Sequence, residues 1–166
     1  DELSHIGVRG RLLQWITSFL RNRHCHVLWN AVTSPVAPGI NGVPQGSPLS
    51  PLLFNLYASP VLRGAHSVQR GMFADDIALW YSARSLRQCT KKLNVALRAV
   101  CASCDERALR INTSKSHSML ITRRKKVRCQ PRVLVNGVAL AVRRTAKYLG
   151  LTFDRRLAWA HTSPQF

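Results

Sequence analysis

The stretch Met72-Phe73-Ala74-Asp75-Asp76-Ile77-Ala78-Leu79-Trp80 sets two adjacent carboxylates between apolar residues, in a chain with 7 Asp and Glu against 25 Lys and Arg. Its strand-formers predict a β-hairpin, with strands over 72–74 and 77–81 and Asp75-Asp76 at or near the turn. An exposed turn alone would account for two Asp residues, because Asp is a common turn residue. Two like charges beside Phe73, Ile77 and Leu79 are nevertheless unfavourable unless a cation or basic group offsets them, which makes Asp75 and Asp76 candidate metal ligands.

The rest of the composition is as one-sided as this pair is exceptional. A formal charge of +18 and a pI near 11.3 exceed what solubility needs and point to a polyanionic partner, nucleic acid before membrane. The basic residues are spread along the chain, as on a folded surface that follows a phosphate backbone. At 166 residues and 46% apolar content the chain is one domain, or part of one, with enough apolar side chains for a core. No apolar run approaches the roughly 18 residues of a membrane span, and the N-terminus is polar without an initiator Met. The expectation is an intracellular chain of nucleus or cytoplasm, cut from something longer and without a membrane partner.

The 5 Cys residues are read as reduced thiols in that setting. Cys101 and Cys104 have metal-ligand spacing and His24-Cys25-His26 could complete a zinc site, but both cysteines fall on the apolar face of a predicted helix. Buried packing is the better account, and no zinc is predicted.

In chain order, Leu12, Trp15, Ile16, Phe19 and Leu20 recur at helical spacing and predict an amphipathic helix over 10–21. A short strand over 26–29 and a loop with Pro35, Pro38 and Gly39 follow. In the segment 41–57, Ser50 is a good N-cap and Pro51 a good first helical residue, so a helix is expected over 51–59, stopping before Pro60. The turn before it, Gly42-Val43-Pro44-Gln45-Gly46, lets backbone approach a phosphate or sugar closely, beside a helix start that favours anions.

Beyond the hairpin, Ser85 to Gln88 reads as a capping box, and Leu86, Leu93, Leu97, Val100 and Cys104 mark one face of a helix to about 106. That helix should pack beneath the hairpin strands. Arg84, Arg87, Lys91, Lys92 and Arg98 on its other side read as a solvated face before a nucleic-acid contact. A strand is expected over 118–122. The basic run 123–128 reads as a solvated loop that adds phosphate affinity, with nuclear localisation as the other reading. Asn136-Gly137 predicts the turn of a hairpin over 132–135 and 138–142.

Three of these segments together resemble the reverse transcriptases of non-LTR (LINE-like) retrotransposons. Phe73-Ala74-Asp75-Asp76 resembles their catalytic hairpin, Asn41 to Tyr57 their Pro-Gln-Gly segment, and Lys147 to Trp159, which contains Tyr148-Leu149-Gly150, their "YLG" segment. The 30 residues from Gln45 to Asp75 fit the family's spacing, and two motifs in order and at the right distance are much harder to obtain by chance than one. Residues 6–23 resemble the stretch that follows the family's first catalytic motif, and 109–116 the motif in which an Asn and a Lys flank a turn.

The resemblance implies an α+β fold, a partial polymerase palm in which an antiparallel sheet with the catalytic hairpin packs on helices, lacking the first catalytic strand and the thumb. Residues 1–40 would connect fingers to palm, and 41–166 would be palm with the basic loop and the terminal hairpin segment. It implies RNA-directed DNA polymerase activity with RNA template, DNA primer and deoxynucleoside triphosphates as partners, and two Mg2+ ions, or Mn2+, as cofactor. Asp75 and Asp76 would be catalytic and metal-binding, and Lys115 a general acid or an electrostatic aid to the departing pyrophosphate. Gln45, Gly46 and Phe73 would contact nucleotide and template, and Tyr148, Leu149 and Gly150 the primer.

Holding two ions about 3.5 to 4 Å apart takes carboxylates on both sides of the reacting phosphate. Neighbours on a strand point to opposite faces, so Asp75 and Asp76 alone form no symmetric clamp unless the turn is sharply bent. The other acids, Asp1, Glu2, Asp105, Glu106 and Asp154, are poor third ligands by position. The chain is therefore expected to be inactive by itself, and a non-catalytic nucleic-acid-binding remnant of a decayed retroelement stands as the alternative.

Overall fold

The computed structural model describes residues 2–39, 42–124, 127 and 129–158. Asn41, the basic-run residues Lys125, Lys126 and Arg128, and the end of the "YLG" segment at Trp159 lie outside them. The chain divides into two compact units, 1–59 and 60–166.

In the first unit, α1 (Glu2–His5) precedes α2 (Gly10–Leu20), which matches the periodicity of its apolar residues. Only Ile16 of α2 is buried, while Trp15 stacks on Phe19 with ring centroids 6.2 Å apart. The expected strand and loop of 26–40 are instead four short strands: β1 (His24–Cys25), β2 (Leu28–Trp29), β3 (Val32–Thr33) and β4 (Ala37–Pro38). β2 and β3 form a hairpin around Asn30-Ala31, both at positive φ, and β1 pairs antiparallel with β4 outside it. Ala at positive φ carries no sequence signal, which is why the turn reads as plain loop.

α3 runs over Leu49–Ala58 and continues directly into a 3-10 helix, Ser59–Ala65. The start lies upstream of the expected Ser50-Pro51 cap. Pro48 is the N-cap, without a side-chain cap bond, and the Ser47 hydroxyl accepts the Leu49 N–H at 3.3 Å just ahead of it. Ser50 is buried within the helix and donates its hydroxyl to the Pro44 carbonyl at 2.5 Å. Pro60 ends the α-helical ladder without ending the helical course, because the tighter 3-10 winding takes it in.

The second unit is built around an apolar cluster of Val61, Leu62, Ala65, Val68, Ala96, Val100 and Cys104. Its first three members come from the 3-10 helix and its last three from α4 (Leu86–Glu106), the long helix that the sequence predicts. Gly64 lets the two helices close together, since a Cβ there would stand 2.8 Å from the Ala99 methyl. Ser85 is the N-cap of α4, but the capping box is not formed: its hydroxyl makes no cap bond, and its carbonyl receives the Cys89 N–H.

β5 (Gln69–Phe73) and β6 (Asp76–Trp80) form the expected hairpin, and Met72 and Leu79 pack on the apolar cluster, which puts α4 beneath it. After α4 come β7 (His117–Met119), β8 (Leu134–Val135), β9 (Val138–Ala139), β10 (Ala141–Arg143), β11 (Thr145–Tyr148) and β12 (Leu151–Asp154). β8 and β9 turn at Asn136-Gly137, both at positive φ, as the sequence predicts. Among the described residues the strands make six two-stranded ladders rather than one sheet, five antiparallel and one, β7 with β10, parallel. Mixed helices and small, mainly antiparallel sheets are what a partial palm would present.

Candidate functional site

The β5–β6 register places the turn one residue earlier than the sequence implies. Phe73 pairs with Asp76, so the turn is Ala74-Asp75, and Asp76 is the first residue of β6. Ala74 takes φ of 50°, a left-handed conformation that costs an alanine energy and bends the chain sharply. Asp75 therefore sits in the turn itself, where strand alternation does not send it to the face opposite Asp76. Both carboxylates are exposed, so water screens their charges from one another. The charge argument for a bound cation loses its force, and what recommends the pair is its place at the tip of a bent hairpin.

Alternation along the strands divides the hairpin into two faces. Met72 and Leu79 look toward the cluster, while Gly71, Phe73, Asp76 and Trp80 share the other face, with Phe73 65% and Trp80 50% exposed. A Cβ on Gly71 would lie 3.6 Å from the Tyr148 hydroxyl and 3.7 Å from the Trp80 ring, so Tyr148 reaches this outer face where the side chain is missing. Glycine within a strand is a signal of such close approach. The second unit thus brings Tyr148 to the strand that leads to Asp75. Leu149 and Gly150, at φ 49° and 81°, form the tip of the β11–β12 hairpin.

Lys115 stands exposed on a turn that Asn112 organises: the Asn112 side-chain oxygen accepts the N–H groups of Ser114 and Lys115 at 3.1 and 3.2 Å. No carboxylate among the described residues pairs with its ammonium. Asp154 is engaged elsewhere, since its carboxylate accepts the N–H groups of Arg156 and Ala158 at 3.1 and 2.7 Å. Glu106 pairs with Arg107 at 3.5 Å. Among the described residues no three His, Cys, Asp or Glu side chains gather to hold a metal ion, so Asp75 and Asp76 offer the hard oxygen ligands that Mg2+ takes but only part of a site. Cys101 and Cys104 are buried, and burial, aided by Cys101 and Asp105 and opposed by Arg107, pushes the Cys104 thiol above its ordinary 9.0.

In the first unit, Gln45 and Gly46 are exposed on the turn before α3. Gly46 has φ of 87° and nothing within 4 Å of the Cβ it lacks, leaving its backbone open to a ligand. Arg23, which the motif reading passed over, and Ser50, read there only as a helix cap, hold this turn. The Arg23 guanidinium donates to the Leu20 carbonyl at 3.1 Å and to the Gly42 carbonyl at 2.6 Å, and Ser50 holds Pro44 from the helix side. No sequence signal marks Arg23 for this, because its partners are backbone carbonyls.

No helix among the described residues is long and apolar enough to cross a membrane. The family model for reverse transcriptase (RNA-dependent DNA polymerase) matches residues 1–153. The RNA-directed DNA polymerase from mobile element jockey of Drosophila melanogaster is 32% identical over 152 residues, covering 87% of this chain and 16% of the relative. Two probable RNA-directed DNA polymerases of the same fly are similar: that of transposon X-element, 30% identical over 96% of the chain and 19% of its own length, and that of transposon BS, 32% identical over 71% and 14%. The chain therefore spans less than a fifth of the length of these relatives. No solved structure matches it. With the family's model running through the Pro-Gln-Gly turn, the Asp75-Asp76 hairpin and the "YLG" tip alike, the chain belongs to the reverse transcriptase family, in its non-LTR, LINE-like group.

Proposed function

We propose that this chain is part of an RNA-directed DNA polymerase that extends a DNA primer on an RNA template, with residues 1–40 connecting fingers to palm and 41–166 forming palm. The observation that carries the reading is the bent Ala74-Asp75 turn, which puts two exposed carboxylates at the tip of a hairpin whose outer face receives Tyr148. Asp75 would hold the divalent ions, Mg2+ or Mn2+, and Asp76 would support the site, with a further carboxylate supplied from outside the described residues. When bound, the two ions activate the primer 3'-hydroxyl and neutralise the triphosphate.

The chain's own residues do the rest. Gln45 and the open backbone of Gly46 position nucleotide and template, Phe73 contacts the nucleotide from the outer face of the hairpin, and Tyr148, Leu149 and Gly150 lie along the primer. Lys115 offers its Nζ proton, or its charge, to the departing pyrophosphate. The location that suits these substrates is the nucleus or cytoplasm. Without the further carboxylate, the chain alone does not extend a primer.

In the full-length protein, Asp75→Asn is expected to abolish Mg2+-dependent primer extension on RNA, a loss of at least about 100-fold given what removing a transition-state ligand costs. Retained extension would sink the assignment. The incomplete ligand set favours one other reading, a nucleic-acid-binding remnant without chemistry. That reading predicts salt-sensitive binding indifferent to Mg2+ and to Asp75→Asn.

A further inference from the structure

The side of α4 that faces away from the hairpin forms one wall of a groove of about 590 Å³, and the other wall is the segment leading into β8. Arg87 and Lys91 from α4 and Arg132 from the opposite wall line it, together with Ser85, Thr90 and Gln130. Residues 87, 91, 94, 98, 101 and 105 form a stripe along α4, separate from the core stripe of 93, 96, 100 and 104. At 3.6 residues per turn the two stripes lie roughly 130° apart around the helix axis. The groove is thus on a different side of α4 from the catalytic hairpin.

Its walls are fixed by one side chain. Asn94 donates its amide to the Arg132 carbonyl at 3.0 Å and accepts the Leu134 N–H on its oxygen at 2.9 Å, standing in for a strand partner. Three cations from segments about forty residues apart therefore line one concave surface that no carboxylate lines, and the Ser85 hydroxyl, which caps nothing, lines it with them. A linear polyanion satisfies this arrangement, because successive phosphates meet successive cations while hydroxyl and amide groups donate to their oxygens.

We infer that this groove is a second nucleic-acid track, which grips the phosphodiester backbone of a single strand outside the primer and template that occupy the hairpin face. The inference rests on the polymerase reading only for the word second; the groove's affinity is independent of Asp75.

The test uses the full-length protein and a labelled, unstructured 20-nucleotide strand, as RNA and as DNA, added to protein already loaded with unlabelled primer and template. Replacing all three cations, Arg87→Gln with Lys91→Gln and Arg132→Gln, should weaken binding of the added strand about tenfold near physiological salt and flatten its log–log salt dependence by about 2, from roughly 0.7 per phosphate on single strands. Lys92→Gln, a charge loss on the same helix outside the groove, should change neither. Arg87→Lys with Arg132→Lys should keep most of the binding, because charge is retained. Primer extension on a short template should be unaltered in every variant. Equal losses with RNA and DNA would assign the grip to phosphates alone, and a loss with RNA only would add recognition of the 2'-hydroxyl. The inference is overturned if the triple variant binds like Lys92→Gln, or if extension falls in step with binding, which would place the groove on the primer-template path. Failure of extension in Asp75→Asn protein with the track intact would leave the inference standing.

Discussion

The two candidate functional segments, one in each unit, are held in place by different physics. In the first unit the Gln45-Gly46 turn depends on polar staples, Arg23 to Gly42 and Ser50 to Pro44, while the apolar residues Trp15, Val27, Leu28, Trp29 and Val32 are all more than half exposed. In the second unit the Asp75-Asp76 hairpin rests on an apolar cluster drawn from two helices. Hydrogen bonds are directional and few, so each holds one position; apolar contact is diffuse, so its stability is shared over many residues. The Gln45-Gly46 turn is therefore adjustable one bond at a time, and the carboxylate hairpin stands or falls with its core.

The contrast can be broken most forcefully at Gly64. In Gly64→Ala the new methyl meets the Ala99 methyl at 2.8 Å, and since neither can rotate away, backbone must move. A loss of about 1–3 kcal/mol is expected for such overpacking, read as a lower urea midpoint for the second unit with the first unit unchanged. The converse change is Arg23→Gln, which removes the donor to Gly42 and should cost about 1 kcal/mol at this exposed site. Its readout is faster amide exchange across 42–46 with no change in the second unit; equal effects in both units would refute the division.

The smallest effect concerns pH. The Cys104 thiol is held above its ordinary 9.0 by burial, so below that pH it is protonated whether the chain is folded or not, and its contribution to stability is complete. As pH rises past 9.0 the unfolded chain releases the proton while the folded one retains it, and stability falls. Cys104→Ala should flatten that decline above pH 9.0 in unfolding titrations; an unchanged slope would show that the thiol is not the group responsible.

What could be read from the sequence follows the same line between local and distant causes. α2, α4 and the Asn136-Gly137 turn are set by periodicity and turn chemistry within a few residues, and they appear where expected. The start of α3 is missed because Ser50-Pro51 reads locally as a cap, whereas the folded chain turns the Ser50 hydroxyl to the Pro44 carbonyl from inside the helix. The hairpin turn is displaced by one residue because nothing in an alanine announces the positive φ of Ala74. Asp75, Asp76, Gln45, Gly46 and Tyr148 are legible as a family's motifs, whereas the staple at Arg23, the approach of Tyr148 to Gly71 and the groove that Arg132 lines with Arg87 and Lys91 need the folded chain.

Asn94 gives the basic groove a property its cations cannot. Its clamp is made by a neutral amide, which neither titrates nor gathers counterions, so it is indifferent to the salt that governs how firmly phosphates are held. Ionic strength can empty the groove without reshaping it. The surface that releases a strand at high salt is the same surface, already assembled, that recaptures one when the salt falls, and recapture then waits on diffusion rather than refolding.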